Sequence, residues 1–479
     1  MTEQRLPRYH DPLVSRYASA EMAAIFSDET RFGLWRRLWV ALAEAEAELG
    51  LPITPQQIAE LKAHVEDIDF ARARALERTL RHDVMAHVHA YGEQCPTARP
   101  IIHWGATSCY VTDNSEQLQM REGLRLVRAR LVGIIRALAD FGRTWRALPT
   151  LGFTHFQSAQ PVTVGKRATL WLHDFVVDLA EVEHRLGRLA FRGVKGTTGT
   201  QASFLSLFDG DHAKVRRLEE LVAAKIGFER VAPVTGQTYS RKEDWQIASA
   251  LSGIAQSAHK FANDIRLLQH LKEVEEPFEA AQIGSSAMAY KRNPMRCERA
   301  TGLARWVINA AQNAAATHAE QWFERTLDDS ANRRLTIPHL FLGADAILLL
   351  VTNVAGGLVV HPAMIERHMA EELPFMATEE LLMAGVRAGS DRQTLHETIR
   401  VHALAASDQV KRGGTNDLLE RLAADKAFPL SREEIMREVD PGRYVGRAPE
   451  QVDEYLAGVV EPLLAERADV RVPGGEVRV

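Results

Sequence analysis

Cysteine is scarce: the 479 residues contain only Cys95, Cys109 and Cys297. An odd number at wide separation fits neither a disulfide framework nor a zinc site, and a reducing cytoplasm is the expected compartment. No stretch holds eighteen uninterrupted apolar residues, so no membrane span is expected. The nearest approach, 347–360, contains Thr352 and Asn353 and follows Asp345, which reads as a buried helix. The N-terminus lacks the apolar core of a secretion signal. Charge of one sign is missing as well. A formal net charge of -5 gives no basic field for nucleic acid, so an anionic ligand must be met by local arginine, lysine and histidine clusters. There is no P-loop, no GxGxxG opening a helix after a strand, no His-Glu-x-x-His and no paired Cys-x-x-Cys. Neither a cofactor nor a metal is expected, and acid/base chemistry is favoured.

What is present is an ordinary globular balance, 46% apolar and 25% charged, in a chain long enough for two or three domains. Helical periodicity dominates and strict alternation is rare, which predicts an all-α protein. Leu118, Leu124, Val127, Leu131, Ile134, Leu138 and Phe141 fall on one face of a helix over 115–148, with Asp113, Asn114 and Ser115 as candidate caps. Further long helices are predicted over 164–191, 241–272, 296–321 and 339–358. Helices of this length cannot all find apolar cover in a monomer, so an oligomer sharing their surfaces is expected. The punctuation places an N-terminal helical domain at 1–107, a central long-helix bundle at 108–362 and a C-terminal helical domain at 363–479. The last residues, 471–479, read as a loose tail.

The chemistry concentrates in 284–299, GSSAMAYKRNPMRCER. Gly284 frees the backbone, Ser285 and Ser286 offer hydroxyls, Lys291 supplies a compact cation, Asn293 an amide, and Pro294 suits the first turn of a helix. Such a loop can surround an anion. Other polar segments recur along the chain: RHDVMAHVH (81–89), GATSCY (105–110), THFQSAQ (154–160), KGTTGTQASF (195–204), 236–239 and WFERTLDDSANRR (322–334). His82, His87 and His89 stand at steps that suit no metal site.

Together, and in this order, these segments resemble the fumarase/aspartase superfamily, whose loop reads Gly-Ser-Ser-x-Met-Pro-x-Lys-x-Asn, and within it the adenylosuccinate lyase family. The resemblance covers nearly the whole chain. It implies a central bundle of long helices, a homotetramer, and active sites each built from three subunits. The implied reaction is cofactor-free β-elimination of fumarate from adenylosuccinate, giving AMP, and from the succinylated aminoimidazole carboxamide ribotide (SAICAR), giving AICAR. Small-molecule substrates are thus the expected partners, with no nucleic acid and no membrane.

By position in the motifs, the resemblance implies that Ser285 is the general base and His155 the general acid. Glu298 orients and charges His155, Lys291 and Asn293 hold the carboxylate beside the ionising carbon, and His82 orients the substrate. Imidazole suits proton transfer near neutrality, whereas a serine base needs a nearby cation and N–H donors. Arg16, Tyr17, Arg81, His82, Asp83, Thr107, Ser108, Thr154, Gln237, Ser286, Arg299, Arg325, Ser330 and Arg334 fall on substrate-contacting positions of the family. Three positions depart from the usual pattern: Ala289 and Ser158 stand where proline is common, and Cys297 where serine is typical. Ala289 removes a fixed φ from the loop, so its ordering is expected to differ. The rival readings are another lyase of the superfamily and a non-catalytic helical scaffold.

Overall fold

A computed structural model describes residues 9–279 and 281–474. Helices dominate, and the named strands among these residues form two short antiparallel pairs, so the fold is all-α as predicted. Near the N-terminus, helix α1 (Asp28–Glu48) is capped by Ser27, whose hydroxyl accepts the Thr30 N–H, and buries Trp35, Leu38, Trp39 and Leu42. Helix α2 (Asp83–Gln94) is capped by an imidazole: His82 Nδ1 accepts the Met85 N–H at 3.3 Å.

The centre is a bundle. Helix α3 (Ser108–Thr144) buries the whole apolar stripe read from the sequence. The hairpin of β1 (Pro149–Thr154) and β2 (Gln157–Thr163) turns the chain back into α4 (Val164–Arg188). The two helices meet closely: a Cβ on Gly165 would lie 2.4 Å from the Gly142 carbonyl oxygen. Helix α5 (Lys242–His270) runs back along α4, since Trp171 Nε1, early in α4, donates to Asp264, late in α5, at 2.7 Å. Helices α3 and α5 therefore point the same way. The bundle continues with α6 (Met295–Ala310), α7 (Gln312–Ala319) and α8 (Asp328–Gly357).

By length and composition α8 could cross a membrane, but 78% of its most apolar window is buried inside this fold. Asp345 in its middle is fully buried, accepting the Arg130 Nε–H at 2.5 Å and the Ser19 N–H at 2.7 Å. After α8 come α9 (Pro362–Met376), α10 (Thr378–Arg387), α11 (Arg392–Lys411) and shorter helices around Leu373, Leu381, Leu395, Leu418 and Leu422.

Four expectations need correction. Helix α3 starts at Ser108, not 115, and Asp113, Asn114 and Ser115 cap nothing: they lie inside it, bonded to Arg241, Gly193 and Trp35 of other segments. The helix predicted over 296–321 is two, α6 and α7, divided at Ala311. The helix predicted from 339 begins at Asp328 and runs through Pro338, the lost backbone bond being outweighed by burial of a long apolar segment. Finally, 471–474 are not loose. Val472 covers Gly133, and the Pro473 carbonyl accepts from Arg130 at 3.4 Å; residues 475–479 lie outside the described residues.

Candidate active site

A cavity of about 1090 Å³ opens where the N-terminal ends of α2, α3 and α8 meet the segment leading into α5. Arg81, His82, Asp83, Ser108, Gln237, Arg325, Ser330 and Arg334, all singled out from the sequence, line it. Local structure explains their placement. Arg81 closes helix Phe70–Leu80 in the left-handed region, φ 56°, and this sharp turn delivers His82 to the cap of α2. The imidazole Nε2 then stands 3.4 Å from Ser108 Oγ at the start of α3. Asp83 accepts from Arg334 at 2.6 Å. Thr107 joins through Gln237, whose Nε2 donates to its hydroxyl at 3.3 Å while Oε1 accepts from Arg325 at 2.9 Å. Arg325 also bonds the Cys109 sulfur.

The floor is a buried ionic lattice that the sequence reading did not single out. Arg241 donates to both oxygens of Asp113 at 3.1 Å and pairs with Asp329 at 2.7 Å. Arg333 reaches Asp244 at 2.7 Å, Glu116 at 2.5 Å and the Tyr239 hydroxyl at 2.5 Å. Burial alone would push the Asp113 carboxyl up; Arg241, Arg333 and Arg192 overcome it and hold the group below its ordinary value. Burial raises the Tyr239 hydroxyl well above its usual range. The only available signal was the spacing of Asp329 and Arg333, which puts both on one helical face. Six arginines line the cavity, Arg31, Arg81, Arg241, Arg325, Arg333 and Arg334. Six carboxylates, Glu77, Asp83, Asp113, Glu116, Glu324 and Asp329, balance them, so the cavity has formal charges that cancel.

The other predicted residues lie elsewhere. In the 284–294 loop, Ser285 Oγ accepts the Met288 N–H at 3.1 Å and Asn293 donates to the Gly284 carbonyl at 2.8 Å. Glycine is needed at 284, where a Cβ would sit 2.2 Å from the Lys291 carbonyl oxygen. Ser286 and Lys291 are exposed, as is Glu298 in the first turn of α6. Arg299 lies over the Tyr17 ring at 5.5 Å, and Arg16 flanks the same ring at 6.0 Å. Burial, then the charge of Arg16, lowers the Arg299 pKa. The segment bearing Arg16 and Tyr17 is fastened to α8 at both ends, by Asp11 to His339 at 2.6 Å and by the Ser19 N–H to Asp345.

Thr154 and His155 occupy the exposed tip of the β1–β2 hairpin. Its two central residues, His155 at φ 52° and Phe156 at φ 57°, both take the left-handed conformation normally left to Asn and Gly. That strain presents the imidazole at the tip. No hydrogen bond joins His155 to Glu298 among the described residues.

Helix lengths measure how far apart these groups stand. Arg241, on the cavity floor, immediately precedes α5, while Gln269 near its end donates to the Arg292 carbonyl of the loop at 3.1 Å. Twenty-eight residues of helix put about 42 Å between them. The hairpin likewise follows the far end of α3, whose start lines the cavity, about 54 Å away by the same rise. Within one chain, then, His155, Ser285, Lys291 and Glu298 do not face the cavity that holds Arg81, His82 and Arg334.

Residues 16–309 match the family model described as lyase, and residues 374–455 match the one described as adenylosuccinate lyase C-terminus. The chain is 53% identical over 452 residues to the adenylosuccinate lyase of Saccharomyces cerevisiae, covering 94% of each chain. To that of Schizosaccharomyces pombe it is 51% identical over 461 residues, covering 95% of this chain and 96% of the other. Among solved structures, a fumarate lyase from a Mesorhizobium species superposes with a TM-score of 0.78 at 26% identity, covering 94% of this chain and all of that one. With both the shared lyase core and the family's own C-terminal region matched, the chain belongs to the adenylosuccinate lyase family.

Proposed function

We propose that the chain is an adenylosuccinate lyase, eliminating fumarate from adenylosuccinate to leave AMP and from SAICAR to leave AICAR. One observation carries the reading at the site: residues scattered between positions 81 and 334 that fall on the family's substrate contacts converge on a single cavity. Its arginines and hydroxyls suit a nucleotide bearing phosphate and carboxylates. Breaking the C–N bond needs a proton removed from carbon, one delivered to nitrogen, and support for the charge that builds on the neighbouring carboxylate. Ser285 removes the first and His155 supplies the second, with Glu298 keeping the imidazole charged. Lys291 and Asn293 stabilise the carboxylate more in the transition state than in the ground state, and His82 orients the substrate.

The same proposal includes a homotetramer whose sites combine several chains. Loop and cavity stand about 42 Å apart in one chain, too far for one nucleotide. Leu170, Val177, Trp306 and Leu335 on the bundle helices, with Ile283 and Tyr290 in the loop, leave apolar surface exposed for neighbouring copies. The three-domain division at 107/108 and 362/363 and a cytoplasmic setting, with three free buried thiols, belong to this reading too. Fumarate release from adenylosuccinate by the purified full-length protein tests it. Wild type turns over, and Ser285→Ala and His155→Ala lose nearly all activity with folding intact. An inert wild-type tetramer would favour the scaffold reading instead.

A further inference from the structure

Arg31 lies in the first turn of α1 and lines the cavity, yet it falls on none of the family motifs read from the sequence. Its surroundings are unusual for an arginine. The guanidinium rests beside two aromatic faces, 5.3 Å from the Trp35 ring and 5.5 Å from Phe32. Phe32 is in turn stacked on His87 at 3.9 Å, so the shelf beneath the cation is rigid. The Nε–H is shut off from solvent and has no hydrogen-bond partner among the described residues.

The carboxylates whose charges act on it are chiefly Glu116 and Asp83. Both are already taken: Glu116 by Arg333 at 2.5 Å and Asp83 by Arg334 at 2.6 Å. Burial, the largest influence on Arg31, works against its charge, though a guanidinium stays protonated at any physiological pH. A charged guanidinium with one buried donor unused costs free energy in the ligand-free protein. Such a cost persists where a ligand completes the bonding.

The neighbouring groups indicate which ligand atom fits. Ser330 and Arg334 stand four residues apart in the first turns of α8, on the same face, and offer a hydroxyl and a guanidinium to an anion. Arg31 and Arg334 are close enough for their charges to oppose each other, an arrangement that a multivalent anion between them would relieve.

We propose that Arg31 is a further substrate-binding residue, its guanidinium taking the phosphate of the bound nucleotide together with Arg334. This rests on the reading that the cavity accepts a nucleotide, and its test is separable from that reading. Fumarate release and AMP binding by the wild-type enzyme test the function; only the Arg31 variants test the residue.

The experiment is calorimetric titration of full-length wild type, Arg31→Gln and Arg31→Lys with AMP and with adenosine, alongside the melting temperature of each ligand-free protein. Wild type binds AMP more tightly than adenosine. Arg31→Gln loses about tenfold or more in AMP affinity, roughly 1.4 kcal/mol, and less than about twofold for adenosine; Arg31→Lys recovers part of the loss. The ligand-free melting temperature is unchanged or higher, because a buried unsatisfied donor has been removed. Equal losses for AMP and adenosine overturn the proposal, as does unchanged AMP affinity. A fall in ligand-free stability in both variants, or failure of both to fold, makes the role structural and overturns it too.

Discussion

If cavity and loop serve one reaction from different chains, two inactive variants must restore each other when mixed. The pair to combine is His82→Asn, which damages the cavity, and Ser285→Ala, which damages the loop. Asparagine keeps an acceptor for the Met85 N–H that His82 Nδ1 now caps, so α2 retains its start. Among the described residues, Ser285 bonds only backbone N–H groups of its own loop. Neither change should prevent assembly. With cavity and loop about 42 Å apart along α5, a complete site on that reading takes an intact cavity from one chain and an intact loop from another. Equal, random mixing leaves each contributor intact half of the time, so about a quarter of the sites are whole. Refolding the two variants together at equal ratio, with native mass spectrometry to count hybrids, should give fumarate release near a quarter of the wild-type rate. Abundant hybrids with no more activity than the parents would refute the reasoning, because that requires cavity and loop of one chain to act together.

Ser285→Ala alone should change unfolding free energy by no more than about 0.5 kcal/mol in denaturant titration while abolishing turnover, since it removes only exposed bonds. Asp345→Ala should cost about 3–5 kcal/mol, because it strands buried Arg130 and the Ser19 N–H; denaturation midpoints will show it. Burial pushes the Glu46 carboxyl up to about 9, above its unfolded value, so its contribution is complete in acid and is lost as pH rises towards 9. Wild type should lose on the order of 1 kcal/mol per pH unit from this group between about pH 5 and 9. Glu46→Gln should lack that slope, and equal slopes in the two proteins would contradict it.

The long helices were legible because Leu124, Val127, Leu131 and Leu138 repeat on one face, and burial enforces that repeat. Asp113, Asn114 and Ser115 misled because a run of capping residues normally starts a helix. Inside α3 they bond to Arg241, Gly193 and Trp35, which no local reading connects to them. The turn at His155 and Phe156 was equally opaque: its left-handed pair carries neither glycine nor asparagine, so the sequence holds no turn signal there. The motif residues around 81, 108, 237 and 334 were readable as a set, whereas Arg31, in an ordinary charged helix start, acquires meaning only from the cavity it faces.

One carboxylate ties together both extremities of the described chain. Asp345 grips the amide of Ser19 with one oxygen and Arg130 with the other, and Arg130 extends to the carbonyl of Pro473. Three hydrogen bonds thus relay from Pro473 to Ser19, two residues from Tyr17, so a disturbance at Pro473 has a path to Arg16 and Tyr17. Trimming the chain back past Pro473 should therefore alter substrate affinity as well as stability, and comparing KM of the trimmed and full-length proteins will show it.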